Sequence, residues 1–71
     1  MKIGKYKHFK GNYYKVLYTA KHSESLEKMV VYQALYGKRG IWVRPLKMFM
    51  EKVEVNGKKV PRFQYCEKSA P

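Results

Sequence analysis

A chain of 71 residues with 16 Lys and Arg against five Glu, for a formal charge of +11, holds one hydrophobic core and has no room for a second domain. The one cysteine, Cys66, excludes an internal disulfide, and no apolar run is long enough to span a bilayer. A reducing cytoplasm with no membrane partner is the expected setting, and a polyanion such as nucleic acid is the partner that the charge invites.

Tyr6 to Phe9 alternates and runs into Lys10-Gly11-Asn12, where Gly and Asn tolerate positive φ, so a first hairpin is predicted. Tyr13 to Ala20 continues as a strand with Tyr14, Val16, Tyr18 and Ala20 on its apolar face. Lys21 to Lys28 breaks the alternation with His22-Ser23-Glu24-Ser25, whose side chains bond to nearby backbone and favour a loop. Met29 to Tyr36 is the most apolar run and reads as the central strand, closed by Gly37-Lys38-Arg39-Gly40 onto Ile41 to Arg44. Pro45 suits the first position of a helical turn over residues 45–50, with Leu46, Phe49 and Met50 on one face.

Glu51 to Val55 and Lys58 to Tyr65 then form a second hairpin about Asn56-Gly57. A two-residue type I′ turn there sets Glu54 opposite Lys59, Val53 opposite Val60 and Glu51 opposite Arg62. Simple alternation puts Phe63 and Tyr65 on the face away from Val60, which calls for a bend or bulge at Pro61. Residues 66–71 read as a frayed tail behind a single domain of residues 1–65. Short strands, tight hairpins and one helical turn predict an all-β fold, an SH3-like barrel of about five strands. An OB-like barrel is the second choice, since it asks for longer strands and a proper helix.

Four stretches carry a family resemblance: Lys5-Tyr6-Lys7-His8-Phe9-Lys10-Gly11; Ala20-Lys21-His22-Ser23-Glu24; Val30-Val31-Tyr32 with Leu35-Tyr36-Gly37; and Trp42-Val43-Arg44-Pro45-Leu46 with Met48-Phe49. In this order, over residues 4 to 65, they resemble the bacterial domain-of-unknown-function family sixteen-fifty-three. The resemblance implies an SH3-like barrel in a cytoplasmic bacterial protein, and no established activity. It also makes the loop at His22, Ser23 and Glu24 a candidate recognition element, with His22 and Glu24 as hydrogen-bond partners for a ligand.

Those three residues are the types of a hydrolytic triad, but neighbours on one loop do not easily converge their side chains, so capping of the loop is the plainer reading and no catalytic residue is expected. Trp42 and Arg44 share one face of their strand while Ile41 and Val43 point the other way, and one pair must face the core. The first expectation puts Trp42 partly inside with Arg44 at the rim, stacked or hydrogen-bonded; if Trp42 is displayed instead, it makes with Tyr32 or Tyr36 an aromatic groove beside a cation, suited to a peptide, a base or a methylated side chain. His8, His22 and Cys66 lack ligand spacing, so neither metal nor cofactor is expected. A non-enzymatic binding module working through His22, Ser23, Glu24, Tyr32, Tyr36, Trp42 and Arg44 is the leading expectation. A nucleic-acid binder is the alternative, and a small hydrolase ranks behind both.

Overall fold

The computed structural model describes residues 1–67. Seven strands and one helical turn follow in order: β1 (Gly4–His8), β2 (Tyr13–Lys21), β3 (Lys28–Ala34), β4 (Ile41–Pro45), α1 (Leu46–Phe49), β5 (Lys52–Val55), β6 (Lys58–Pro61) and β7 (Phe63–Glu67). β7 therefore extends to Glu67, two residues into the stretch read as a tail, and the rest of that stretch lies outside the described residues.

The strands form an antiparallel five-stranded sheet in the order β4-β3-β2-β1-β7 and a separate two-stranded ribbon, β5-β6. The SH3-like barrel expected from the sequence is thereby corrected: the fold is all-β, but the sheet is open, with β4 and β7 as its edges. Closure would need β4 and β7 about 4.8 Å apart with their backbones exchanging hydrogen bonds. Side chains fill that space instead. The Arg44 guanidinium lies 5.8 Å over the Phe63 ring, and Phe49, delivered by α1, stacks on the same ring at 4.1 Å with the two planes parallel to within 1°.

One face of the sheet builds the core from Tyr6, Val16, Val30, Tyr32 and Phe63, with Phe49 descending onto them from α1. Edge-to-face contacts of Tyr6 and Tyr32 with Phe49, at 5.4 and 5.3 Å, make this an aromatic core, as the composition predicts. Fully burying a side chain such as Phe49 contributes about 1.5–3 kcal/mol, a large share of the stability of so short a chain. Tyr6 keeps its hydroxyl satisfied by donating to the Lys2 carbonyl at 2.7 Å.

Two departures from simple alternation position everything that follows. A bulge between Val16 and Tyr18 resets β2, so Tyr18 registers with Val31 on the outer face rather than joining Tyr14 and Val16 on the core face. Tyr18 is accordingly 68% exposed. In the second hairpin, the predicted register of Glu54 with Lys59 and Val53 with Val60 forms about Asn56 (φ 51°) and Gly57 (φ 80°). Its second strand stops at Pro61, however, and β7 leaves to pair with β1, which puts Phe63 and Tyr65 in the core sheet. Arg62 marks the break: its N–H donates to the Glu51 carbonyl at 2.9 Å, and its guanidinium donates to Glu51 Oε1 at 2.9 Å.

Candidate functional site

Cross-strand register brings the site together. Trp42 on β4 is paired with Tyr32 on β3, and Tyr32 with Val16 on β2, so the three side chains share the core face. Tyr14 stands next along β2, and Tyr36 follows β3 into the turn. Because β4 is an edge strand, its core-face residues overhang the core rather than lying within it. Trp42 is 60% exposed, Tyr36 is 45% exposed, and Arg44 is half-buried at their base. Ile41 and Val43 are exposed too, on the outer face, so neither pair on this strand is sealed in.

Tyr14, Tyr32, Tyr36, Trp42 and Arg44 line one open cleft of about 280 Å³. Tyr14 is its hub, meeting Tyr32 edge-on at 5.7 Å and Tyr36 edge-on at 5.5 Å, with the Tyr14 and Tyr36 hydroxyls 2.7 Å apart. Burial, reinforced by that hydrogen bond, pushes the Tyr14 phenol up to about 12. Gly40 lies under the indole: a Cβ there would come within 3.3 Å of Trp42 Nε1, so glycine lets the ring lie close to the turn. A cleft of about 310 Å³ between the β5-β6 ribbon and the main sheet is walled by Val55, Val60 and Pro61 on one side and Lys7, His8, Phe9 and Gln64 on the other. It lacks the ring-and-guanidinium arrangement of the first.

Charge around the cleft is one-sided. The ion pairs among the described residues are Lys47 with Glu27 at 3.7 Å and Arg62 with Glu51 at 2.9 Å, which leaves Arg44 without a carboxylate. Burial, followed by the positive charges of Arg62, Lys10 and Arg44, holds the neighbouring His8 below its ordinary pKa. His8 reaches the cleft through Tyr14, whose ring centre is 6.1 Å away, and packs edge-on to Phe63 at 4.9 Å.

The residues predicted as one site divide between two places. Tyr32, Tyr36, Trp42 and Arg44 converge; His22, Ser23 and Glu24 sit at the opposite end of the β2-β3 hairpin, beyond the Lys21–Lys28 pair. Tyr32 stands four positions along β3 from Lys28, about 13 Å. That loop also spends its polar groups on itself. His22 Nδ1 accepts from the N–H groups of Glu24 at 3.1 Å and Ser25 at 3.3 Å, Ser25 Oγ accepts from the Glu27 N–H at 3.2 Å, and Ser23 Oγ donates to Glu24 Oε2 at 3.3 Å. Tyr14 is the member that sequence reading missed, with His8 behind it. Tyr14 was legible only as one apolar position among several, and pairing its strand with β3 is what turns it toward Tyr36. Among the described residues, no group of three or more His, Cys, Asp or Glu could hold a metal ion, and no helix is long and apolar enough to cross a membrane.

Comparison with known proteins adds the family. The model for "Protein of unknown function (DUF1653)" matches residues 4–65. A crystal structure of a family member from Bordetella bronchiseptica superposes with a TM-score of 0.88 at 34% sequence identity, covering 100% of this chain and 94% of that one. No curated protein matches. The chain belongs to the DUF1653 family.

Proposed function

We propose that the chain is a non-enzymatic recognition module whose cleft, Tyr14, Tyr32, Tyr36, Trp42 and Arg44, takes a ligand with a planar group beside an anionic one. The observation that carries this reading is a half-buried arginine without a carboxylate partner among the described residues, set among four aromatic rings of which the tryptophan is more than half exposed. An exposed indole beside a half-buried guanidinium leaves an aromatic face and several N–H donors open to a ligand. A planar ligand supplies both deficits at once: its face covers the indole, and its anion meets the guanidinium through paired N–H donors. The His22 to Glu24 loop serves in this reading as the closure of the far hairpin end, since its acceptors are already engaged by its own backbone. The single exposed thiol, Cys66, suits a reducing cytoplasm as the place of action.

Trp42 is the only tryptophan, so its emission reports on this cleft alone. Titration with nicotinate and with adenosine monophosphate should change that emission saturably in the native chain and much less in Arg44→Ala. An unchanged emission with both compounds contradicts the reading.

A further inference from the structure

We infer that the cleft binds single-stranded nucleic acid, one base stacking on Trp42 among the tyrosines while the flanking phosphates run from Arg44 toward the cations of the β1-β2 and β3-β4 turns. This deepens the reading above and rests on it, because it names what brings the planar group and the anion.

The first support is the segregation of charge. The β1-β2 turn and the β3-β4 turn lie side by side, tied by the Leu35 N–H donating to the Tyr13 carbonyl at 3.0 Å. This end carries Lys10, Lys38 and Arg39, Arg44 lies further down the cleft opposite Val30, and neither Met1 to Ser23 nor Lys28 to Met50 contains an acidic residue. Glu24 and Glu27 belong to the far loop, Glu51 is taken by Arg62, Glu54 is registered against Lys59, and the backbone of Glu67 is registered against Lys5, at the end of β1 away from His8. A surface with several cations and no acid selects a chain of phosphates over an isolated charge.

The second support is the form of the aromatic surface. Trp42 and Tyr36 stand out from an open cleft, which suits a base whose face is free. Bases in a duplex are stacked on one another and offer only their edges, so they cannot cover an indole. An acidic peptide would satisfy the cations and leave the ring uncovered. Stacking on an aromatic side chain is sequence-tolerant and accounts for a loss of roughly tenfold or more on truncation to alanine.

The test uses the full chain and fluorescence anisotropy of labelled oligothymidylate of about ten nucleotides, within the usual site size. A blunt duplex of equal length and a poly-glutamate peptide serve as competitors, at low and raised salt. The expected result is binding that Trp42→Ala and Arg44→Ala each weaken by about tenfold, that Trp42→Phe partly restores, and that duplex competes for poorly. Lys28→Ala removes the same charge from the far hairpin end and should change affinity less than about twofold. Each phosphate contact should contribute a slope of about −0.7 in log K against log salt, and Arg44→Ala should remove about one such increment.

Absence of binding at low salt overturns the inference; so does equal weakening by Lys28→Ala and Arg44→Ala, or equal competition by poly-glutamate. If oligothymidylate fails while adenosine monophosphate still changes the Trp42 emission, this inference falls and the planar-anion reading stands. If both fail, both fall.

Discussion

The two ends of the β2-β3 hairpin hold similarly polar residues and use them in opposite ways. At the loop end, His22, Ser23, Ser25 and Glu24 bond to one another and to the loop backbone, and Glu27 meets Lys47. In the cleft, Arg44 has no carboxylate partner among the described residues, and Trp42 and Tyr36 are exposed beside it toward the other end. A catalytic-looking trio attracts attention by residue type, whereas readiness to bind depends on which groups the fold leaves unsatisfied. Stability and binding should therefore separate between the ends, and substitutions can break that separation or sharpen it.

The largest effect is expected beneath both ends. Phe49→Ala removes the ring that stacks on Phe63 and should cost about 3–5 kcal/mol in a denaturant titration, enough to unfold much of a marginal chain and abolish cleft and loop together. Trp42→Ala comes next, and only in binding: the loss of cleft affinity should be about 1–3 kcal/mol while the unfolding midpoint hardly moves, because the indole is 60% exposed. His22→Ala should show the reverse, a loss of about 1 kcal/mol in stability from two loop N–H groups left to water, with cleft affinity unchanged. A stability loss for Trp42→Ala matched by a binding loss for His22→Ala would break the comparison.

Two smaller effects sharpen it. The Tyr14 phenol, held at about 12 against an ordinary 10.0, keeps its proton in the folded chain after the unfolded chain has lost it. Its contribution to stability is therefore fully present below pH 10.0 and is lost as pH rises toward about 12. Tyr36→Phe removes the hydroxyl partner but not the burial, so an NMR titration of the Tyr14 ring should find its pKa lowered yet still above 10.0. Gly40→Ala places a methyl 3.3 Å from Trp42 Nε1 without an unfavourable φ, and should shift the Trp42 emission at a cost of about half a kcal/mol or less.

Most of the elements were legible in the sequence because their signals are local. Gly37 and Gly40 bracket one turn, Asn56-Gly57 sets another, and the charge matching of Glu54 with Lys59 fixes a register that forms as read. What escaped is set by distant pairing. No local pattern reports the bulge between Val16 and Tyr18, and after it the faces of β2 exchange. Nor does the run from Lys58 to Tyr65 announce that its two halves belong to different sheets, so closure into a barrel was a natural expectation, whereas β4 and β7 remain edges, with Arg44 and Phe49 packed on Phe63. The cleft was half legible: alternation placed Trp42 and Arg44 on one face, and the hairpin brought Tyr32 and Tyr36 near. Tyr14 needed the β2-β3 register, and the distance of the His22 loop needed the strand lengths.

The most direct measurement is amide and indole NMR of the full chain during titration with adenosine monophosphate. The expected changes gather at Tyr14, Tyr32, Tyr36, Arg44 and the Trp42 indole N–H, with residues 22–27 unmoved; changes centred on residues 22–27, or spread evenly over the lysines, would contradict the assignment of the cleft as the binding end.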